Sequence, residues 1–262
     1  RRASVRSRLE NENGVDPHDI IMSPDKAKSN GLTSTVTFPS GNLAPQGSVI
    51  KSTAIDPSVV DKDGVYRNTG LARVFNTEKE AITAIKSNDE SQRLKAGEIL
   101  ILKCGGPLGT GMEEVYQITA ALKHLSYGKQ IALITDARFS GVSTGACIGH
   151  VGPEALAGGP IGRVEEGDLI EILIDTHNLE GTIYLVGTGD SNHGVDWGSN
   201  ILSQRISPDS LNPHPMIPDD SRLWAALQDV SGGTWGGCVF DVDEIILTLE
   251  AGKKVRQPQN KV

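Results

Sequence analysis

The chain has 262 residues, 37% hydrophobic and 22% charged, with a formal net charge of −8. That length holds one sizeable core or two modest ones, while the acidic balance, with no large Lys/Arg cluster beyond Arg8, argues against a nucleic-acid partner and for a small ligand. No stretch nears the roughly 20 apolar residues that span a bilayer, and no secretory-type segment opens the chain, so no membrane partner and a cytoplasmic location are expected.

Thirty glycines and thirteen prolines against 4% aromatics favour a mixed, turn-rich fold over a helical bundle. Cys104, Cys147 and Cys238 are far apart and include no C-x-x-C pair, so they read as buried small hydrophobes rather than as disulfides or a zinc site. Residues 1–40 are polar and broken and read as a lead-in. The chain opens at Arg1 rather than methionine, so a piece of a longer protein is expected.

The compact domain is expected over residues 41–262, opening with the turn Gly41-Asn42-Leu43-Ala44-Pro45 and a short strand at Ser48–Lys51. A strand at Leu71–Phe75 leads into the capping box Thr77-Glu78-Lys79-Glu80 and a helix to about Lys86. Ile99–Leu102 and Ile131–Ile134 read as buried strands. Val115, Ile118, Leu122 and Leu125 recur at helical spacing, predicting an amphipathic helix opened by Glu113 and Glu114. Strands at Leu169–Ile174 and Thr182–Val186 form a hairpin. Residues 187–218 read as loop, followed by a short helix at Arg222–Gln228.

Three motifs carry possible chemistry. Gly106-Pro107-Leu108-Gly109-Thr110-Gly111-Met112 lies between a strand and a helix, where backbone amides can hold phosphate, yet Met112 stands where a phosphate loop needs lysine. Gly141-Val142-Ser143-Thr144-Gly145 is a literal G-x-S-x-G that makes Ser143 a candidate hydrolase nucleophile, with Asp175, Asp190 and His193 available as partners, although the preceding strand ends too early for a nucleophile elbow. Third, if the strands before Glu114 and Ser140 lie in one sheet, both residues reach one rim, where a carboxylate can hold Mg²⁺ and a serine can act as a base. Taken singly, Glu113 and Glu114 also read as complements to a helix dipole, Ser140 as a turn residue, and His150 and Glu154 as buried partners or caps.

Four motifs in fixed order add more than spacing: Gly41-Asn42-Leu43-Ala44-Pro45 with Lys51, Gly106-Pro107 through Glu114, Leu133-Ile134-Thr135-Asp136-Ala137-Arg138-Phe139-Ser140-Gly141, and His150-Val151-Gly152-Pro153-Glu154-Ala155 through Ile161. Together they closely resemble the C-terminal half of the dihydroxy-acid and sugar-acid dehydratases, the family that includes 6-phosphogluconate dehydratase. The resemblance runs from about Gly31 to Gly187 and more loosely to the end. Thr33–Lys51, Tyr116–Gly128 and Ser231–Trp235 look most like the xylonate dehydratase branch.

The resemblance implies a mixed α/β, swivelling β/β/α barrel-like domain that closes over an N-terminal domain of the same protein. That N-terminal domain, absent from this chain, would hold an iron–sulfur cluster and most ligands of a Mg²⁺ ion. It implies Glu114 as the Mg²⁺ ligand supplied from this chain and Ser140 as the catalytic base; Asp136, Arg138, Ser143 and Thr144, polar residues massed at the exit of the Ile131–Ile134 strand, are candidate substrate-binding residues. The implied reaction is dehydration of a sugar acid such as D-xylonate to a 2-keto-3-deoxy acid, in a homo-oligomer. Dihydroxy-acid dehydration in branched-chain amino-acid synthesis, a hydrolase using Ser143 and a non-catalytic sugar-acid binding module are the alternatives. Glu113 stands where the family usually has proline, and the residues after Ser140 leave open whether Ser143 or Thr144 assists it.

Overall fold

A computed structural model describes residues 2–30, 35–233 and 239–256. The chain divides into two compact units, Arg1–Thr35 and Val36–Val262. The first holds α1 (Arg2–Asn13), α2 (Pro17–Ile20) and α3 (Pro24–Ser29). Proline opens both α2 and α3 behind a capping side chain, Asp16 on the His18 amide and Ser23 on the Lys26 amide. That placement suits a residue with no amide of its own. The polar lead-in is therefore built of short helices, and it ends earlier than the sequence indicates. Val36–Thr37 (β1) already pairs antiparallel with Gly47–Lys51 (β2), so the second unit takes in the residues just before Gly41.

The sheet of the second unit continues through β3 (Val65–Phe75), β4 (Ile99–Leu102), β5 (Ala132–Thr135), β6 (Cys147–Gly152), β7 (Asp168–Asp175), β8 (Glu180–Thr188) and β9 (Ser191–Asn192). Among the described residues the order is β1-β2-β6-β5-β4-β3-β7-β8-β9. The β3-β4-β5-β6 centre is parallel and both flanks are antiparallel. Ser40, just beyond β1 at one edge, bridges to Thr182 in β8 near the other, with the Ile183 amide donating to the Ser40 carbonyl at 3.0 Å. The mixed sheet thus curls into a half-barrel.

Both faces of the central strands are covered, which is why β4 and β5 are uninterrupted apolar runs. Ile99, Ile101 and Ile134 join one core with Ile50, Ile148, Ile170 and Ile172. Leu100, Leu102 and Leu133 join a second core with Ala81 and Ile85 of α4 (Glu78–Lys86) and Ile118 and Leu122 of α6 (Gln117–Leu122). Between β4 and α6 lies the short α5 (Pro107–Thr110). The Thr77–Glu80 capping box forms as expected. Cys104 and Cys147 are buried thiols, pushed up by burial to about 11 and about 12. Cys238 lies outside the described residues.

The expected 187–218 loop contains α7 (Val195–Gln204), whose Leu202 is buried and whose Trp197 and Ile201 pack against the first core. The Gly, Asn, Ser and Pro content of this segment reads as loop, yet a side chain at Gly198 would collide with the Leu185 carbonyl of β8. The glycine therefore permits helix-to-strand contact. α8 (Asp219–Val230) extends the predicted short helix, and α9 (Val242–Arg256) follows. Among the described residues no helix is long and apolar enough to cross a membrane.

Candidate active site

Two sheet strands deliver the site. β4 runs into residues 103–116, and β5 runs through residues 136–146 straight into β6 with no intervening helix. Residues 113–116 do not open a helix. Glu114 instead forms a parallel bridge with Arg138, and helical backbone is reached only at Tyr116, which caps α6. The Val115 amide donates to the Arg138 carbonyl at 3.0 Å, and Arg138 Nε donates to the Met112 carbonyl at 2.8 Å. α6 begins only at Gln117, where Glu78 Oε1 accepts the Gln117 and Ile118 amides. Glu78, whose carboxyl is raised by burial, thus fills the capping role expected of Glu113 and Glu114.

Extended backbone sends successive side chains to opposite faces. Val115 and Ala137 are buried and Phe139 packs on the second core, whereas Glu114 and Ser140 are half-buried and Arg138 is exposed. Glu114, Arg138 and Ser140 therefore share one solvent-facing rim. Ser140 opens a tight turn in which its Oγ accepts the Val142 amide at 3.2 Å and its carbonyl accepts the Ser143 amide at 3.0 Å.

Two residues expected on this rim lie inside. Asp136 is 1% exposed: its carboxylate accepts the Gly105 amide at 2.8 Å, the Ala155 amide at 2.9 Å and the Cys104 amide at 3.2 Å. It ties the exits of β4, β5 and β6 together and has no free face for substrate. Ser143 is buried too, and its Oγ has no hydrogen-bond partner among the described residues. Thr144 is exposed, but it lines a cleft of about 500 Å³ with Thr53, Lys123 and Lys129 that includes neither Glu114 nor Ser140.

Residues 19–188 match the family described as dihydroxy-acid/6-phosphogluconate dehydratase, C-terminal. The chain belongs to this family. It is 57% identical over 254 residues to the D-xylonate dehydratase YagF of Escherichia coli, covering 97% of this chain and 38% of that protein. The D-xylonate dehydratase YjhG of the same organism is 56% identical over 247 residues, covering 94% of this chain and 37% of the relative. A dihydroxy-acid dehydratase of Lachnospira eligens is 44% identical over 166 residues, covering 63% and 28% respectively. The chain thus spans well under half the length of the relatives it matches.

Within this dehydratase domain the glycine-rich segment after β4 serves packing rather than phosphate binding. A side chain at Gly106 would overlap the Glu154 carboxylate, and Gly111, at φ 72°, ends α5. The Leu108 amide, which would face a phosphate, is taken by Glu154 at 3.0 Å. Burial pushes the Glu154 carboxyl up to about 8, against the pull of that amide and with repulsion from Asp136 and Asp229 adding to it.

The sign of the resulting pH effect follows. Below about pH 4.5 both folded and unfolded states are protonated and Glu154 contributes nothing. As pH rises toward 8 only the unfolded chain releases the proton, so stability falls, and above 8 the loss is complete. The loss is on the order of a few kcal/mol. Glu154→Gln, which keeps an acceptor for Leu108, should flatten the decline in melting temperature between pH 5 and 8, and a parallel decline in wild type and variant would contradict this.

The G-x-S-x-G reading does not survive the geometry. No helix follows β5, Ser143 is buried, and Asp175 is engaged by the His177 and Asn178 amides of its own turn. As to metals, among the described residues no group of three or more His, Cys, Asp or Glu side chains is placed to hold an ion. Cys104 and Cys147, both buried, belong to no such group. The chemistry of Glu114 fits a narrower part, since a partly exposed carboxylate on a pinned backbone is an oxygen donor of the kind a hard cation takes.

Proposed function

We propose that this chain is the C-terminal part of a hydro-lyase that removes water from a sugar acid, D-xylonate or a similar aldonate, giving a 2-keto-3-deoxy acid. The observation that carries the reading is the Glu114–Arg138 bridge, which brings the backbone of Glu114 beside the segment leading to Ser140 in a member of a dehydratase family. The names of the two Escherichia coli relatives support the sugar-acid substrate over a branched-chain precursor. The rim is exposed rather than enclosed, which supports an active site completed by an N-terminal domain of the same protein. Assembly as a homo-oligomer and a cytoplasmic location complete the proposal.

In this reading Ser140 Oγ, as alkoxide, takes the proton from C2 and becomes a hydroxyl. The electron pair left by that proton forms the C2–C3 double bond as the C3–O bond breaks, the departing hydroxyl takes the proton from Ser140 Oγ to leave as water and restore the alkoxide, and the enol tautomerises to the 2-keto acid. Mg²⁺, held in part by Glu114, would offset negative charge on the substrate carboxylate and 2-hydroxyl, and an iron–sulfur cluster ligated outside this chain would act as Lewis acid toward the 3-hydroxyl. Arg138, cationic and exposed, faces the same rim and suits an anionic substrate. Thr144 is the exposed one of the two hydroxyls that could assist Ser140.

The test is Glu114→Gln in the full-length protein. A Mg²⁺ requirement for D-xylonate turnover raised about tenfold or more is expected on loss of a charged ligand. An unchanged Mg²⁺ titration would remove Glu114 from the metal site. This chain expressed alone should show no turnover.

A further inference from the structure

One peptide unit beside Ser140 is held at both ends. The Val142 N–H donates to Ser140 Oγ at 3.2 Å, and the carbonyl of the same peptide, on Gly141, accepts from Lys51 Nζ at 2.9 Å. Lys51 closes β2, and the next anchor in that segment is the Ala54 carbonyl, which accepts the Gly145 amide at 2.9 Å. The Ser140 turn is thus clamped near its start by the last residue of β2 and near its end by the turn that follows that strand. Without the clamp its tip has little to hold it: Val142 is 81% exposed and nothing lies near the open side of Gly141.

We propose that Lys51 is a positioning residue for the catalytic base, acting through the Gly141–Val142 peptide. A cation on a peptide carbonyl polarises that peptide and strengthens its N–H as a donor, since linked hydrogen bonds reinforce one another. A stronger donor on Ser140 Oγ favours the ionised oxygen, because hydrogen bonding to a charged form stabilises it. The same contact fixes the rotation of the peptide plane, so the N–H stays aimed at Oγ. The Lys51 ammonium bonds the Gly141 carbonyl rather than Ser140 itself. The inference rests on Ser140 being the base, as proposed above.

The experiment uses the full-length enzyme with D-xylonate and compares Lys51→Met, Lys51→Arg, Ser140→Ala and the Lys51→Met/Ser140→Ala double variant. Lys51→Met should lower kcat roughly tenfold or more with KM little changed. Lys51→Arg, which keeps a cationic donor, should recover most of the loss. The double variant should be no slower than Ser140→Ala, because two residues acting through one oxygen are not additive. Amide exchange of residues 140–145, followed by mass spectrometry on the same full-length chains, should quicken in Lys51→Met and return toward wild type in Lys51→Arg.

Wild-type kcat and unchanged exchange in Lys51→Met, alongside an inactive Ser140→Ala, would overturn the role of Lys51 and leave the base standing. Substantial turnover by Ser140→Ala would overturn both. A Lys51→Met defect that Lys51→Arg fails to relieve would show that the cation is not what matters, and would also overturn the proposal.

Discussion

Ser140→Ala in the full-length enzyme is expected to lower kcat for D-xylonate by between about 10² and 10⁴, the range that a positioned general base supplies. That corresponds to roughly 3 to 5 kcal/mol of barrier. KM should move little, since the Ser140 Oγ is assigned to proton transfer rather than to holding the acid. The fold should tolerate the change, because Oγ accepts a single hydrogen bond, from the Val142 amide, and the side chain is only half-buried. Steady-state kinetics with unchanged melting temperature and cluster absorbance would establish the effect as chemical. Turnover within a few-fold of wild type would remove Ser140 as the base.

Asp136→Ala is expected to have the largest effect on stability. The carboxylate accepts amides from Cys104, Gly105 and Ala155, all buried, and alanine would leave those donors without an acceptor. Each orphaned buried donor costs about 1–3 kcal/mol, so a loss of roughly 4 kcal/mol or more is expected, a large share of what a domain this size has to spend. Urea unfolding of this chain should show the midpoint falling sharply, and a shift of under 1 kcal/mol would mean that water replaces the carboxylate. Because the same three contacts align the exits of β4, β5 and β6, milder losses should still appear as lost turnover.

What the sequence made legible followed from locally sufficient patterns. The apolar runs of β4 and β5 needed no context, since both faces of those strands are covered. The Thr77–Glu80 box is complete within four residues. The hairpin of β7 and β8 was marked by its turn. The segment at Glu113–Leu125 was misread because Val115 reaches the second core from the non-helical stretch beside the Glu114–Arg138 bridge, while Ile118 and Leu122 reach it from a helix. Two different periodicities together imitated one.

The site was legible in its motifs and only partly in its geometry. Glu114 and Ser140 were placed together from their order behind neighbouring strands. Asp136 and Ser143 looked like surface ligands because polar residues after a strand usually face solvent. The burial of Asp136 depends on amides contributed by residues about twenty to thirty positions away in either direction, which spacing cannot reveal. Lys51 carried no chemical signal of its own: its contact with Gly141 spans 90 residues.

The bridge between residues 114 and 138 also bears on how such an enzyme selects among acids of different carbon number. On the roles proposed for Glu114 and Ser140, this backbone pairing fixes the stretch of chain that carries both, so every acid would meet the pair at the same main-chain spacing. Such a pair would register only the first few carbons, those carrying the reacting hydroxyls. Discrimination at the far end of the molecule must come from side chains beyond this pair, and exchanging those would retune selectivity without disturbing the proton transfer.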